Sequence, residues 1–204
     1  DCIYRRLDDS FLDPKAFNKE SMIGVPGLFK CWRKGNVGIL NAIGTGIADD
    51  KVVYSYVNKM IVYYLGEQPI LNQVETYLCH EKIQRDYVID NISKLVVKPA
   101  NASGGYGIMI GPKAPPKERQ EVINKIKKNP REFIAQPLEI LSTAPTITEN
   151  DIEPRHLDLR PFVLSGKTSY VTTGGLTRVA LRKGSTIVNS SQGGGSKDTL
   201  IVDM

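Results

Sequence analysis

The sequence predicts an α+β fold in which helices are concentrated in the first part of the chain and strands in the remainder. Apolar residues recur at helical spacing after Asp49 and Asp50, and strand-like runs follow one another from Phe133 onward. Hydrophobic residues make up 41% of the 204 residues. This apolar content is sufficient for a globular core.

The clearest predicted element is a helix that begins at Asp49 and Asp50 and ends at Gly66. Carboxylates at a helix start accept hydrogen bonds from free N–H groups and complement the helix dipole. Apolar residues follow at helical spacing at positions 53, 56, 57, 60 and 64. Further helices are predicted over residues 25–34, 81–91 and 115–128, and strands over residues 2–7, 36–41, 95–98, 108–110, 133–138, 156–164, 169–171, 178–181 and 186–189.

Composition and charge exclude several classes of protein. The 27 Lys and Arg residues exceed the 22 Asp and Glu residues by five, but no basic block or grouped aromatics indicate nucleic-acid binding. Apolar runs reach only about six residues, which is too short to cross a membrane. Cys2, Cys31 and Cys79 are widely spaced and odd in number. This spacing argues against a disulfide scaffold or zinc ribbon and favours a reduced, cytoplasmic protein.

A lysine followed by a glycine-rich turn forms the first candidate site. Lys98 ends a predicted strand, and Gly104, Gly105 and Gly107 surround Tyr106 shortly afterwards. Glycine allows several N–H groups to converge on a phosphate, to which the lysine adds positive charge. No Gly-Lys-Ser/Thr follows at the distance that a P-loop requires, and the turn leads into a strand, so neither a P-loop nor a Rossmann fingerprint is indicated. A plain glycine-rich hairpin remains an alternative.

Basic residues form the other candidates. Lys51 lies in the first turn of a helix, where its charge opposes the dipole, so either a binding role or a solvated pair with an adjacent aspartate is consistent. Alternation places Asp158 and Arg160 on one face of a strand, which is either a cleft for a phosphoryl group or a solvated surface. Arg178 follows on a later strand. Residues 188–196 are predicted to be a polar, glycine-rich loop that binds an anionic or carboxylate substrate or acts as a mobile linker. Residues 142–154 and 193–196 are predicted to be the loops that form the substrate pocket.

The order of these motifs resembles that of the ATP-grasp superfamily. The resemblance rests on Asp50-Lys51 at a helix start, Val97-Lys98-Pro99 before the glycine-rich turn, Phe133-Ile134-Ala135-Gln136, Asp158-Leu159-Arg160, Arg178 and Val188-Asn189. It is closest to the circularly permuted bacterial family often described as like glutathionylspermidine synthase. That family's signatures resemble residues 24–27, 44–51 and 189–198, so the likeness covers nearly the whole chain.

The resemblance implies an ATP-grasp fold of two α+β subdomains with a nucleotide cleft between them. Residues 1–48 are then an N-terminal linking segment of the family domain. Residues 49–135 form the lid subdomain with its glycine-rich flap, and residues 136–204 form an incomplete, β-rich second subdomain.

The resemblance also implies roles for individual residues. Lys51 and Lys98 are expected to hold the nucleotide phosphates, with the flap residues Gly104, Gly105, Tyr106 and Gly107 above them. Gln136 and Leu138 are expected to contact adenine through their backbone, and Glu139 to contact the ribose. Arg160 and Arg178 are expected to face the transferred phosphoryl group, with Asn189 near the acyl substrate or a metal.

The implied reaction is the ATP-dependent ligation of a carboxylate to an amine through an acylphosphate, with Mg²⁺ as cofactor. The substrates are expected to be a small-molecule or peptide carboxylate and an amine acceptor. No Glu-x-Asn metal motif follows Asn189, so the metal ligands are expected outside this chain, which is expected to be inactive alone. A non-catalytic ATP-binding or scaffold module of a larger assembly is the alternative, and the oligomeric state is left open.

Overall fold

The computed structural model describes residues 1–102, 105–149, 151–186, 188–189 and 193–199. Contacts divide the chain into two compact units, Asp1–Pro137 and Leu138–Met204. The helices of the described ranges are α1 (Asp9–Leu12), α2 (Leu28–Arg33), α3 (Lys51–Tyr54), α4 (Val57–Leu65), α5 (Lys82–Asp90) and α6 (Pro116–Lys128). The strands are β1 (Cys2–Tyr4), β2 (Gly38–Leu40), β3 (Tyr77–Leu78), β4 (Leu95–Pro99), β5 (Met109–Ile110), β6 (Phe133–Pro137), β7 (Thr143–Ile147), β8 (Ile152–Ser165), β9 (Ser169–Ala180) and β10 (Gly194–Lys197).

The chain therefore mixes helix and sheet, as predicted. Every helix of the described ranges lies in the first unit, and none of these helices has both the length and the apolar character needed to cross a membrane. The division into segments 1–48, 49–135 and 136–204 stays a prediction.

The main sheet of the first unit has two faces with different partners. Its strands are antiparallel and follow the order β3-β6-β4-β5. On one face, Val97 and Ala135 join a core with Val88 of α5 and Ile126 of α6, both fully buried. Because side chains alternate along a strand, Lys98 lies on the opposite face.

That opposite face is covered by helix α3. Val52 of α3 packs with Leu78, Ala100 and Ile134 in a second buried cluster. In the β4–β6 ladder, Lys98 is paired with Ile134, so both side chains share this face. Burial of Val52 therefore holds the beginning of α3 beside the end of β4.

A small parallel sheet lies near the N-terminus of the first unit. Strand β1 pairs with β2, with Cys2 opposite Gly38 and Tyr4 opposite Leu40. A 3₁₀ turn over Thr45–Asp49 follows and leads directly into α3. The N-terminal strand is thereby joined to the segment that carries Lys51.

The described strands of the second unit form an antiparallel sheet in the order β10-β9-β8-β7. The long hairpin β8–β9 places Asp158 opposite Arg178 and Arg160 opposite Leu176, with an irregularity between Pro161 and Val163. The predicted strands over residues 169–171 and 178–181 are parts of one continuous strand, β9.

The helix predicted to run from Asp49 to Gly66 is interrupted. Helix α3 ends before Ser55, and α4 begins at Val57. The Ser55 hydroxyl donates to the Val52 carbonyl at 2.7 Å, and the N–H of Tyr56 bonds to Val53 at 3.0 Å. These bonds over three residues tighten the turn and interrupt the α-helical pattern. The predicted end is confirmed, because Gly66 adopts a left-handed conformation with φ 67°.

Two loop predictions and one strand prediction in the second unit were wrong. The predicted loops over residues 142–154 and 193–196 contain β7 and β10, while the described residues of the predicted strand 186–189 form no strand. A Cβ at Gly194 would lie 2.2 Å from the Val188 carbonyl oxygen. Glycine at this position permits the close approach of the backbone, so β10 is a paired strand although its glycine-rich composition is typical of a loop.

Candidate functional site

Lys51 is held at the start of α3 by backbone contacts. Its N–H donates to the Ala100 carbonyl at 2.8 Å, and its Nζ donates to the Ala102 carbonyl at 2.6 Å. Asp50 caps the helix, because its Oδ1 accepts from the Val52 N–H at 2.8 Å. The ammonium group is therefore fixed beside the segment that leads from β4 into the glycine-rich turn.

An ion pair stabilises this helix start. Arg131 Nη2 lies 2.7 Å from Asp50 Oδ2. Burial raises the pKa of Asp50, but the hydrogen bonds from Arg131 and from the Val52 N–H outweigh it and hold this pKa below its usual range. Asp50 is thus committed to capping and to Arg131.

Lys98 belongs to a polar network on the same face of the sheet. Its Nζ donates to Gln136 Oε1 at 2.6 Å, and Gln136 Nε2 donates to Thr76 Oγ1 at 2.8 Å. The Thr76 hydroxyl continues to the Val74 carbonyl at 3.0 Å. Gln136 is buried, so the network fixes the direction of the lysine side chain.

The two lysines share one electrostatic environment. Burial lowers the pKa of Lys98, and the nearby charge of Lys51 lowers it further. Burial also lowers the pKa of Lys51, although Asp50 and Asp49 partly offset this. Neither ammonium forms an ion pair with a carboxylate within the described residues. Because the two ammonium groups are partly buried, repel each other and have no paired carboxylate among the described residues, an anion bound between them would be stabilised.

The glycine-rich turn begins close to Lys51. Gly104 lies outside the described residues, whereas Gly105 and Gly107 have φ values of 82° and 72°. A Cβ at Gly107 would lie 2.9 Å from Pro99 Cγ, so this position requires glycine for both its conformation and its surroundings. Tyr106 is 74% exposed. A flap formed by these residues stays a prediction.

The second unit contains a cluster of two arginines on one carboxylate. Arg178 donates from Nε to Asp158 Oδ1 at 2.9 Å and from Nη2 to Oδ2 at 2.5 Å. Arg160 reaches the same Oδ2 from Nη2 at 3.3 Å. The hydrogen bonds from Arg178 lower the pKa of Asp158 despite its partial burial. The structure thus brings the two predicted arginines together around Asp158.

The remaining predicted residues also fall in the second unit. Leu138 and Glu139 are exposed after β6, and Asn189 is half-buried next to the buried Val188. Their roles toward adenine, ribose and substrate stay predictions.

A magnesium ion was also expected. Within the described residues, no group of three or more His, Cys, Asp or Glu side chains could hold a metal ion. The described side chains therefore provide no preformed metal site.

Sequence comparison assigns the family. The family model "Circularly permuted ATP-grasp type 2" matches residues 1–180. The chain belongs to this ATP-grasp family. The family assignment agrees with the mixed helix and sheet of the structure, while the likeness to glutathionylspermidine synthase stays a prediction.

Relatives of this ATP-grasp chain occur in several bacteria. An uncharacterized protein of Synechocystis is 56% identical over 99% of the chain, which covers 42% of that protein. One from Mycobacterium tuberculosis is 53% identical over 99% of the chain, which covers 37% of it. A Frankia casuarinae protein named "Putative glutamate--cysteine ligase 2-2" is 49% identical over 98% of the chain, which covers 23% of it. The chain spans less than half the length of these relatives.

Sequence reasoning missed several contacting residues of this ATP-grasp chain. The sequence did indicate a contact for Asp158, because its spacing from Arg160 places both side chains on one strand face. No local pattern indicated the contacts of Thr76 and Arg131, because these residues lie 60 and 81 positions from their partners. For Gln136, the prediction concerned its backbone, whereas the structure shows a contact of its side chain with Lys98.

Proposed function

We propose that this chain supplies the phosphate-binding part of an ATP-dependent ligase that joins a carboxylate to an amine. The observation that supports this best is the placement of the Lys51 and Lys98 ammonium groups on one face of the sheet. Burial and mutual repulsion lower the pKa of Lys98. Phosphate oxygens bound between these groups relieve the repulsion, which favours a polyphosphate ligand.

The chemistry follows from the charge that must be stabilised. Transfer of the γ-phosphoryl group to a carboxylate gives an acylphosphate and ADP, and attack by the amine releases phosphate. Negative charge is spread over the phosphoryl oxygens during transfer. In this proposal, Lys51 and Lys98 bind the phosphates, and N–H groups of the turn at Gly105–Gly107 contribute further donors.

In the second unit, Arg160 and Arg178 are the proposed phosphoryl-binding side chains. Asp158 holds two donors of Arg178 and is contacted by Arg160, which leaves other guanidinium N–H groups available. We assign Arg160 and Arg178 to the phosphoryl group and Asp158 to their positioning. The predicted nucleotide cleft between two subdomains, with Leu138 and Glu139 at adenine and ribose and Asn189 near the acyl substrate, remains part of the proposal.

The names of two relatives support a proposal for the substrate class. Two Frankia proteins similar to this chain carry the name glutamate--cysteine ligase, qualified as putative. We therefore propose that the carboxylate and the amine are amino acids or small peptides.

Calorimetric titration of a non-hydrolysable ATP analogue with Mg²⁺ into the purified chain tests the phosphate site. Lys98→Ala is expected to weaken binding at least about tenfold, because it removes a charge-assisted hydrogen bond to phosphate. Lys94→Ala is the matched control, since Lys94 is exposed and lies four positions earlier. Equal affinity of Lys98→Ala and wild type contradicts the assignment, and so does equal loss in both variants.

A further inference from the structure

The first unit contains a polar cavity apart from the two lysines. It has a volume of about 380 Å³ and lies between the end of β1 and the 3₁₀ turn before α3. This volume falls within the range of roughly 300–1,000 Å³ that small-molecule sites occupy. Its lining includes Arg5, Arg6, Asp8, Asp9, Asn41 and Asp49.

One wall of this cavity is rigidly built around Arg5. The guanidinium is buried and donates to the carbonyls of Leu7 at 2.6 Å, Asn41 at 2.5 Å and Ala42 at 2.7 Å. Asn41 Nδ2 returns a bond to the Arg5 carbonyl at 2.9 Å. Because all three guanidinium nitrogens of Arg5 are committed, this residue shapes the cavity rather than binding a ligand in it.

Asp9 is part of the same wall. Its Oδ1 lies 2.6 Å from Arg5 Nη2, and its Oδ2 accepts from the Gly44 N–H at 2.9 Å. Asp8 is also engaged, since it caps α1 through the Ser10 N–H at 2.9 Å. These contacts hold the N-terminal strand and the later turn together before any ligand arrives, so the cavity is preorganised.

Two lining residues remain available. In the part of the chain that the structure describes, the side chains of Arg6 and Asp49 form no hydrogen bond or ion pair with a protein group, and both are exposed. They carry opposite charges and face one cavity without pairing with each other. A small molecule with one carboxylate and one ammonium group satisfies both.

The charge of the lining argues against a second phosphate site. Asp8, Asp9 and Asp49 outnumber Arg5 and Arg6, so a polyanion meets net repulsion. Asp49 precedes Asp50 and Lys51, and its charge acts on the Lys51 ammonium. The cavity is therefore lined by a close sequence neighbour of Lys51, but its charge disfavours the polyphosphate ligand proposed for the two lysines.

We propose that this cavity binds the amino-acid substrate of the ligase as an α-amino-acid zwitterion, with Arg6 contacting the carboxylate and Asp49 the ammonium group. That the bound amino acid is a substrate rests on the proposed ligase function. The binding site itself stands on the cavity and its two unpaired charges.

The test is saturation-transfer NMR of the purified chain with a mixture of the standard α-amino acids, followed by titration of those that bind. Arg6→Ala and Asp49→Asn are each expected to weaken binding at least about tenfold. The matched controls Arg182→Ala and Asp90→Asn, which are exposed and do not line the cavity, are expected to bind as wild type does. The N-acetyl and carboxamide derivatives of the bound amino acid are expected to give no signal.

Circular dichroism spectra are compared with that of the wild type to check that each variant is folded. Arg6→Lys provides a further check, because it keeps the charge and is expected to recover part of the affinity that Arg6→Ala loses. The proposal is overturned if no amino acid binds the wild type, or if the cavity variants bind as well as the controls. It is also overturned if either derivative binds as well as the parent amino acid.

The outcome separates this proposal from the previous one. Loss of nucleotide binding in Lys98→Ala with unchanged amino-acid binding supports two distinct sites. If the wild type binds amino acids through Arg6 and Asp49 but no nucleotide, the cavity is correct and the ligase function fails. If it binds nucleotide through Lys98 but no amino acid, the cavity proposal alone fails.

Discussion

At the scale of single residues, this chain uses carboxylates to position cations. Asp158 orients Arg178 through two hydrogen bonds, and Asp50 both caps α3 and holds Arg131. Lys51 and Lys98 differ, because they contact neutral groups, a carbonyl oxygen and a side-chain amide. Their charge is therefore available to a ligand, whereas the charge of Asp158 and that of Arg178 largely offset each other.

The low pKa of Asp158 makes its contribution to stability dependent on pH. Its ionised form is favoured in the folded chain, so the stabilisation is complete above the unfolded pKa of about 4 and is lost as pH falls through the lower folded value. Asp158→Asn is expected to lower the free energy of unfolding by about 1 kcal/mol near pH 7. Urea unfolding at several pH values should show this difference shrinking below about pH 4.

Glu139→Gln is the control for that series, because Glu139 is exposed and has no hydrogen bond or ion pair in the described residues. A constant difference between Asp158→Asn and wild type at every pH contradicts the assigned ion pair.

The lowered pKa of Lys98 predicts how anion binding varies with pH. The ammonium loses its proton at a lower pH than an ordinary lysine, so affinity for tripolyphosphate is expected to fall as pH rises through that value. Lys98→Arg keeps its charge over the same range and is expected to give a flatter profile. Calorimetric titrations at a series of alkaline pH values measure both curves, and identical slopes count against Lys98 as the titrating group.

At the scale of elements, the two faces of the main sheet have different roles: one packs in the hydrophobic core, and the other carries the proposed phosphate-binding lysine. Val97 and Ala135 face the core beneath α5 and α6, while Lys98 and Gln136 face α3 and its surroundings. The glycine-rich turn after β4 is constrained by its own geometry. Its last glycine, Gly107, packs so close to Pro99 that a side chain has no room.

Gly107→Ala is expected to destabilise the chain by more than the roughly 1–2 kcal/mol that a left-handed non-glycine residue costs. The added cost arises because the new Cβ would lie 2.9 Å from Pro99 Cγ. Gly66→Ala is the matched control, since Gly66 has φ 67° and no atom within 4 Å of its Cβ position. Thermal unfolding of both variants measures the difference, and equal losses would show that Pro99 moves aside freely.

At the scale of the whole molecule, the proposed phosphate and amino-acid sites both belong to the first unit. Lys51, Lys98 and the cavity at Arg6 lie within Asp1–Pro137, whereas Arg160 and Arg178 lie within Leu138–Met204. The chain covers 42% of its Synechocystis relative, so the activity of a whole protein of this family remains a proposal.

Residues 1–137 expressed alone are therefore expected to fold and to bind tripolyphosphate within about threefold of the affinity of the 204-residue chain. Lys98→Ala in the shorter chain serves as its control and is expected to abolish this binding. Retained folding with lost binding contradicts the assignment of Lys51 and Lys98 of the first unit as the main phosphate-binding groups.

Local patterns in the sequence predicted much of this arrangement. They predicted the cap at Asp50, the end of α4 at Gly66 and the strand that carries Lys98, because capping, glycine conformation and side-chain alternation act over a few neighbouring positions. They did not predict the break near Ser55 or the strand at Gly194, where local composition suggested a continuous helix and a loop. In both places, hydrogen-bond partners outweighed composition.

The sequence by itself determined the family, the α+β class, and the lysines and arginines that carry the proposed chemistry. Only the tertiary structure decided their partners: Lys51 with the Ala102 carbonyl, 51 positions away, and Lys98 with Gln136, 38 positions away. It also revealed the cavity that joins Arg6 to Asp49. The physical reason is that contacts between distant residues depend on strand register and on how buried faces pack, and neither is encoded by a local pattern.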